Sequence, residues 1–506
     1  MSIACEAAAQ DFVIEETTVA DIQRALQTNV RTARQIVQAY LDRIAAYDRK
    51  GPTLNSILTL NPKALSEADR LDAERATGAP VGPLHCVSLV LKDNYNTADL
   101  PTTGGSASLA GMRPPADAFV VAKLRKAGAI ILGKSNMHEF ALSGTTVSSL
   151  GGQTLNPYDL TRTPGGSSGG TGTAVAANLA LAGTGSDTVN SIRSPASANA
   201  LVGIRPTKGL VSRAGIMPVS ETQDAIGPIA RTVADAARLL EVMAGYDPND
   251  PSTVSSIGNT PVGYIQFLKP GGLHGARIGL LKTLLGSGSE HQEVNSVIAA
   301  AMVALKSGGA ELIEVDAPAL DTGRLNVDND VQNYEFKALL NAYLAAFSNA
   351  PTKSLAEIIA SGKFHEPSLG KLLSSAESFA NGMEDPDYKE RLLRNQRTRQ
   401  VLSSVFAEHN LDALVYPLQK RLTVPITEFN QADRNGILAS VTGFPAITVP
   451  AGFSLPTATA PLGVPVGMDI LGKPWSEGRL IELAYGFEQQ VRVRKPPRSA
   501  PALPGR

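Results

Sequence analysis

The chain has 506 residues, more than one small core needs, so its length fits either several domains or one large α/β domain with insertions. Its composition, 43% hydrophobic and 18% charged, is typical of a soluble globular protein. Because 46 basic residues balance 47 acidic ones and no basic stripe occurs, no nucleic-acid partner is expected and a small neutral ligand is favoured.

The N-terminal stretch MSIACEAAAQDFVIEE has no early positive charge and turns acidic, so we expect no secretory signal there. No apolar run approaches the ~18–20 residues of a membrane span. Cys5 and Cys86 are too few for a disulfide framework or a zinc site. We therefore expect a cytoplasmic protein without membrane attachment.

Two N-terminal helices are predicted within residues 15–50. Thr18 with Asp21, and Thr32 with Gln35, have the spacing of capping boxes, in which two side chains bond reciprocally to the backbone of the first helical turn. These helices are expected to contribute packing and no chemistry.

A core of alternating strands and helices is predicted over residues 80–250. Apolar runs at 87–91 and 129–132 flank a helical pattern near 117–127, and a glycine-rich segment precedes the apolar run at 174–182. Such alternation favours an α/β fold.

Residues 320–415 are richer in charge and in helix formers, so we predict a helical insertion or cap there. The core then resumes over 413–490, and the basic, proline-rich segment 494–506 is expected to be a mobile tail. The whole chain, 1–506, is predicted to be a single domain. The C-terminal elements are three strands and one helix, at 413–417, 446–450, 467–471 and 477–490.

Two literal motif matches lack the required context. GAIILGKS at 128–135 satisfies the phosphate-loop pattern, but its variable residues form an apolar run typical of a buried strand. Residues 166–170 satisfy GxSxG, but no strand leads into them and no histidine is marked as a base. Nucleotide binding and a Ser-His-Asp hydrolase are therefore both disfavoured.

The run GGSSGG at 165–170 has two interpretations. It can be a flexible loop, or its glycines can bring backbone N–H groups close to a bound atom. Further along, Ser191 lies in a polar turn that Asp187 and Arg193 flank, which fits either a surface ion pair or a nucleophile. Lys92 ends the first apolar run, and the carboxyl ends of strands are where α/β sheets bind ligands.

Taken together, several segments resemble the amidase signature family. They include GPLHCVSLVLKDN, NPYDLTRTPGGSSGG, GSDTVNSIRSPAS, LVGIRPTKGLVSRAGIMP and GFPAITVPAG, in the family's order. The resemblance is good over 20–250, looser over 410–490 and weak over 260–410. It implies a central mixed β-sheet flanked by helices on both faces, with a helical insertion or cap.

The resemblance implies a Ser-cisSer-Lys triad of Lys92, Ser167 and Ser191. The 24-residue spacing between the two serines fits the family, and Ser167 would follow a cis peptide bond. Ser191 would be the nucleophile, Ser167 the proton relay and Lys92 the base, with Ser168 in support. A buried lysine can act as a base because burial lowers its pKa.

The same resemblance places an oxyanion hole on the backbone N–H groups of Thr188, Val189, Asn190 and Ser191. The family usually has Gly-Gly where this chain has Val189 and Asn190, so the oxyanion hole must either be built with negative φ at Val189 or be slightly reshaped. Cys86 and Ser88 also replace residues that are commonly glycine and proline. Neither departure removes a member of the triad.

Other residues are assigned supporting roles. Asp187 and Arg193 are interpreted as bracing the nucleophile turn. The same resemblance implies that the loop 141–149, with Ser143, Gly144 and Thr145, lines the substrate pocket, and that Met137 is a further pocket residue. The polar side chains of the loop 141–149 are small and uncharged, so they do not predict a charged substrate.

The predicted function is that of a serine amidohydrolase that cleaves C–N bonds of neutral amides without a metal or cofactor. Aryl or alkyl amides, peptide amides and carbamates all remain open as substrates, with esterase or urethanase side activity. One alternative is the glutaminase-type subunit of a tRNA-dependent amidotransferase. Another is a catalytically silent binding scaffold. The expected partner is a small-molecule amide, and the chain is expected to be a monomer or homodimer.

Overall fold

The computed structural model describes residues 12–78 and 80–504. Cys5 and the other residues of 1–11, which form most of the N-terminal stretch that argued against a secretory signal, and residues 505–506 of the predicted tail lie outside the described residues. Within the described chain, no helix is both long and apolar enough to cross a membrane.

One mixed sheet organises the fold. Its eleven strands, counted over the described residues, follow the order β1-β3-β2-β6-β8-β7-β12-β13-β11-β9-β10, and β4 pairs separately with β5. The strands are β1 (Ile57–Leu60), β2 (Ser88–Lys92), β3 (Ile130–Ser135), β4 (Val147–Ser148), β5 (Gly152–Gln153), β6 (Ala182–Asp187), β7 (Val202–Arg205), β8 (Ala225–Ala230), β9 (Arg277–Leu281), β10 (Glu311–Val315), β11 (Ala413–Pro417), β12 (Ala446–Phe453) and β13 (Pro465–Leu471).

Helices cover the sheet. In the described chain they are α1 (Val19–Gln27), α2 (Ala33–Tyr47), α3 (Ala64–Ala76), α4 (Phe119–Lys126), α5 (Gly169–Ala176), α6 (Arg193–Ala198), α7 (Val233–Met243), α8 (Gln292–Ser307), α9 (Thr322–Asp328), α10 (Gln332–Ala345), α11 (Leu355–Ser361), α12 (Glu366–Ser378), α13 (Pro386–Glu408), α14 (Ile437–Thr442) and α15 (Glu477–Val491). Every residue of β2, β3, β6, β8, β11 and β13 is buried, as expected of strands covered on both faces.

The predicted mixed α/β class is confirmed. Thr18 and Thr32 begin α1 and α2 with complete capping boxes. The apolar run 129–132 lies at the start of the fully buried β3, which excludes the flexible loop that a phosphate site would need there. The three C-terminal apolar runs are β11, β12 and β13, and α15 follows them.

The segment that was predicted to be a mobile tail contacts the core in the described residues up to 504. Arg494 donates to Glu16 Oε2 at 2.8 Å and to the Ala200 carbonyl at 3.0 Å. Ser499 Oγ donates to the Pro157 carbonyl at 2.6 Å. The segment is packed because its basic and polar side chains satisfy buried backbone carbonyls, an outcome that its composition alone did not indicate.

Candidate active site

Lys92 is the last residue of β2, between β3 and β6, and its side chain is fully buried. Its Nζ donates to Ser167 Oγ at 2.7 Å, to Ser186 Oγ at 2.9 Å and to the Ser186 carbonyl at 3.3 Å. Asn94 Nδ2 also donates to Ser186 Oγ, at 3.0 Å. The amine is thus held by hydroxyl and carbonyl oxygens.

Burial controls the charge of Lys92. Desolvation lowers the pKa of Lys92 to about 7, although the carboxylates of Asp187 and Asp224 act to raise it. A substantial fraction of the amine is therefore neutral near pH 7 and able to accept a proton.

Ser167 lies in a tightly packed glycine segment that ends at α5. The peptide bond between Gly166 and Ser167 is cis, and the Ser167 carbonyl accepts from the backbone N–H of His138 at 2.9 Å. A Cβ at Gly170 would lie 2.7 Å from the carbonyl carbon of Asn136. The glycines therefore allow the backbone segments to pack closely, and the interpretation of this run as a flexible loop is wrong.

Ser191 lies in the turn between β6 and α6 and is 6% exposed. Its carbonyl accepts from the backbone N–H of Ser168 at 3.3 Å, which ties the two serine-bearing segments together. Over the described residues, the Ser191 hydroxyl makes no hydrogen bond. The structure thus joins Lys92 to Ser167 directly, whereas no hydrogen bond joins the hydroxyls of Ser167 and Ser191.

The backbone of residues 188–191 has free donors. None of the hydrogen bonds found within 12–78 and 80–504 is donated by a backbone N–H of these four residues. Val189 does not have positive φ, as expected for a valine, and neither does Asn190. Unpaired N–H groups in a buried turn are costly unless a ligand accepts from them, so this turn can stabilise an anionic oxygen.

A network of buried ion pairs holds the turn. Arg193 Nε lies 3.1 Å from Asp187 Oδ2, and its Nη1 lies 2.9 Å from Asp469 Oδ2. Arg205 Nη1 is 2.8 Å from Asp187 Oδ1. Burial would raise the pKa of Asp187, but Arg193 and Arg205 lower it to about 2, so the carboxylate stays charged.

The same network contacts the turn directly. Arg193 Nη2 donates to the Val189 carbonyl at 2.7 Å, and the backbone N–H of Ile192 donates to Asp187 Oδ2 at 3.1 Å. Thr188 Oγ1 donates to Asp224 Oδ1 at 2.6 Å. The predicted bracing residues, Asp187 and Arg193, therefore lie where they fix the turn.

The predicted pocket residues occupy different environments. Met137 is buried in an apolar cluster that includes residues of α10, α11 and α12. Ser143 Oγ donates to the Phe429 carbonyl at 3.0 Å, and Thr145 Oγ1 lies 3.3 Å from His138 Nδ1. A Cβ at Gly144 would lie 2.7 Å from Arg434 Nη1. Of the four predicted pocket residues, Gly144 therefore lies beside the charged side chain of Arg434.

Sequence reasoning missed several residues of this site. Ser186 directly precedes Asp187, and Asn94 is two residues after Lys92, both within segments that carry the family resemblance. Their closeness in sequence to predicted site residues could have identified them. Arg205 and Asp224 lie on other strands or loops, and only the sheet brings them to the turn. Arg434 had no sequence signal.

One cluster of the described residues could hold a metal ion. His291 Nε2 lies 3.5 Å from Glu290 Oε1 and 3.3 Å from Asp433 Oδ2, and both carboxylates are exposed. Its donors differ from those of the lysine-serine site, so it adds nothing to that chemistry.

The chain is similar to known amidases along most of its length. Residues 35–481 match the family model described as Amidase. The solved native peptide amidase from Stenotrophomonas maltophilia is 40% identical, with a TM-score of 0.85, and the match covers 96% of this chain and 99% of that one. A probable amidase of Arabidopsis thaliana is 36% identical over 504 residues, 96% of this chain and 92% of that protein. A glutamyl-tRNA(Gln) amidotransferase subunit from a Synechococcus strain is 34% identical over 503 residues, 95% of this chain and 94% of that protein.

Proposed function

Because the chain belongs to the amidase signature family and is a hydrolase of amide C–N bonds, we propose that it cleaves small neutral amides through an acyl-enzyme on Ser191. The observation that carries this proposal is the 2.7 Å contact between the buried Lys92 Nζ and Ser167 Oγ. This contact places the Ser167 hydroxyl beside the Lys92 amine. The segment that carries Ser167 adjoins the turn that carries Ser191, whose hydroxyl makes no hydrogen bond to the described residues.

In the first step, Ser191 Oγ attacks the amide carbonyl carbon. Its proton passes to Ser167 Oγ as Ser167 gives its own proton to Lys92 Nζ, so the base becomes an ammonium. The carbonyl oxygen becomes an oxyanion and accepts hydrogen bonds from the backbone N–H groups of residues 188–191. In comparable sites, the removal of one such donor lowers the rate by roughly 10²–10³-fold.

In the second step, the C–N bond breaks. The Lys92 ammonium returns a proton through Ser167 to the leaving nitrogen, which departs as ammonia or an amine. Ser191 keeps the acyl group as an ester. Water then attacks this ester, Lys92 accepts the proton of the water through Ser167, and a carboxylic acid leaves as Ser191 Oγ regains its proton.

Peptide amides are the first substrate class to test. The support is the 40% identity to the peptide amidase of S. maltophilia over nearly the entire length of both chains. Aryl amides and carbamates form the rest of the substrate panel, and kcat/KM for each compound ranks them.

The nucleophile is tested by labelling and mass spectrometry. A fluorophosphonate should attach to the peptide that contains Ser191, and Ser191→Ala should abolish the label. Ser168→Ala, on the neighbouring segment, is the matched control and should retain it. Labelling that survives in Ser191→Ala but is lost in Ser168→Ala would refute this assignment. Folded wild-type protein that takes no label would favour the binding scaffold.

The glutaminase role remains a second candidate because of the 34% identity to the Synechococcus amidotransferase subunit. Such a chain would hydrolyse glutamine and work with partner subunits. Affinity purification from the native cell, followed by a glutaminase assay, separates the two. Co-purified partners with glutamine as the preferred substrate would favour the second candidate, whereas peptide amidase activity by the chain alone would favour the first.

A further inference from the structure

Arg434 lies at the active site and forms no salt bridge with the described residues. Asp330 acts on its charge, but only from beyond salt-bridge distance. Arg434 Nη1 is 3.5 Å from Asn190 Oδ1, the one hydrogen bond that its side chain makes to the described residues. The same nitrogen is the atom that a Cβ at Gly144 would meet at 2.7 Å. The guanidinium therefore lies between the predicted pocket loop and the turn that carries Ser191.

Asn190 supplies a second unused donor. It is fully buried and immediately precedes Ser191, yet its Nδ2 has no hydrogen-bond acceptor among the described residues. A buried amide N–H₂ without a partner is unfavourable by itself. Its carbonyl oxygen already faces Arg434, so the unused amide nitrogen and the guanidinium belong to one polar patch.

The patch lacks acceptors for these donors. A guanidinium offers five N–H donors and an amide nitrogen two, and neither group can accept. His138, the imidazole close to the patch, has a pKa lowered to about 3 by burial and by neighbouring cationic groups that include Arg434, so it is neutral and adds no further positive charge. What such a patch lacks is an oxygen from a ligand.

We propose that Arg434 and Asn190 bind a second carbonyl oxygen of the substrate, one carried on the acyl side of the scissile amide. The inference rests on the proposed function. A primary amide releases only ammonia, so every binding group of such a substrate lies on the acyl side, next to Ser191. An N-acylated amino acid amide carries a carbonyl there, whereas a simple alkyl amide does not.

Three matched substrates test the subsite. N-acetylphenylalaninamide carries the second carbonyl, 3-phenylpropanamide lacks it, and 2-benzylmalonamate replaces it with a carboxylate. The variants are Arg434→Met, Arg434→Lys and Asn190→Ser. Arg421→Met removes a charge from the same loop, where Arg421 lies 3.7 Å from Asp433, and serves as the control.

For Arg434→Met, the KM of N-acetylphenylalaninamide should rise by about tenfold to a hundredfold, as expected for a hydrogen bond to a charged group. The loss with 3-phenylpropanamide should be much smaller. Arg434→Lys should recover part of the difference, Asn190→Ser should act in the same direction, and Arg421→Met should show no substrate-dependent effect.

Equal losses on all three substrates would overturn the inference, because Arg434 would then only support the fold. A larger loss with 2-benzylmalonamate than with the acetylated amide would retain the subsite but assign it to a carboxylate. If the wild type hydrolyses none of the three but hydrolyses an aryl amide, the inference is overturned, and if it hydrolyses no amide at all, the proposed function fails instead. Thermal unfolding of each variant establishes that it is folded.

Discussion

At the residue scale, two buried lysines lie in the last two residues of neighbouring strands but have different environments. Lys134 Nζ on β3 lies 3.3 Å from Asp93 Oδ1 and donates to Thr102 Oγ1 at 2.9 Å. Lys92 on β2 has no such carboxylate contact within the described chain. Burial lowers the pKa of both lysines, and at Lys134 the contact with Asp93 opposes that effect, whereas Lys92 touches only hydroxyl and carbonyl oxygens and can be neutral and act as a base.

The pH dependence of activity follows from this environment. Because the base must be neutral and the pKa of Lys92 is lowered to about 7, kcat/KM should fall about tenfold per pH unit below that value and level off above it. A neutral substrate measured from pH 5 to 9 checks this. Ser168→Ala should keep the same midpoint, and a flat profile down to pH 5 would contradict the role of Lys92.

Single residues of the site were predictable to different degrees. Lys92, Ser167 and Ser191 follow from the resemblance and the serine spacing. Ser186, which binds the Lys92 amine, was not singled out because a serine in a glycine-rich strand has no distinctive pattern. Arg434 is far from Ser191 along the chain, and its approach depends on how the loop before α14 folds back.

At the element scale, the start of α14 packs against the turn that carries Ser191. A Cβ at Gly436 would overlap Asn190 Cβ and lie 2.7 Å from the Val189 carbonyl oxygen. Ser440, one turn into the same helix, donates to that carbonyl at 2.8 Å. The helix therefore sets the position of the turn from behind.

Gly436→Ala should consequently displace the turn. We expect kcat/KM to fall at least tenfold and the free energy of unfolding to fall by ~1–3 kcal/mol, the usual cost of overpacking. Steady-state kinetics and urea unfolding provide the measurements. Gly271→Ala is the control, because a Cβ there would meet nothing within 4 Å. Unchanged kinetics in Gly436→Ala would show that the turn tolerates movement.

The ion-pair network makes a separate prediction about stability. Arg193→Met should lower the free energy of unfolding by ~3–5 kcal/mol, because Asp469 loses its arginine while both are fully buried. Arg24→Met is the comparison: the side chain of Arg24 is 70% exposed in its pair with Asp21, so a loss of ~0–1 kcal/mol is expected. Similar losses in the two variants would refute the bracing role.

Elements were predictable where packing and local pattern agree. The buried strands β3, β11 and β13 correspond to apolar runs, and the capping boxes mark the starts of α1 and α2. The helix α5 did not follow from pattern, since three of its first four residues are glycine, a poor helix former. Tertiary contact with residue 136 favours that helix over its weak propensity.

At the scale of the whole molecule, Glu335 joins the helical segment to the core. Its carboxylate on α10 accepts from the hydroxyl of Ser220, from the backbone N–H of Thr222 at 3.2 Å and from Tyr388 Oη on α13 at 2.9 Å. The loop that carries Ser220 and Thr222 continues to Asp224, whose Oδ1 accepts a hydrogen bond from Thr188 Oγ1. The helices are thus connected to the turn through one short loop.

The C-terminal segment closes the molecule through Arg494. Burial would raise the pKa of Glu16, but Arg494 and Arg231 lower it to about 2, so this pair stabilises the fold above the ordinary pKa of Glu16, 4.5, and loses its effect as pH falls towards 2. At pH 7, Arg494→Met should cost ~1–3 kcal/mol in chemical unfolding. Arg492→Met should cost less than ~0.5 kcal/mol, because Arg492 is exposed and donates its side-chain bond to Gln489. Equal losses would contradict this account.

The reacting side chains come from one stretch of chain, whereas the residues that surround them come from both halves of the chain. Lys92, Ser167 and Ser191 lie within one hundred consecutive residues, whereas α10 to α12 and Arg434 come from the second half of the chain. Under the proposed subsite, mutations of Arg434 should alter which amide is accepted while Lys92, Ser167 and Ser191 stay in place. Such an arrangement makes the scaffold evolvable, since new specificities can arise without rebuilding the catalytic machinery.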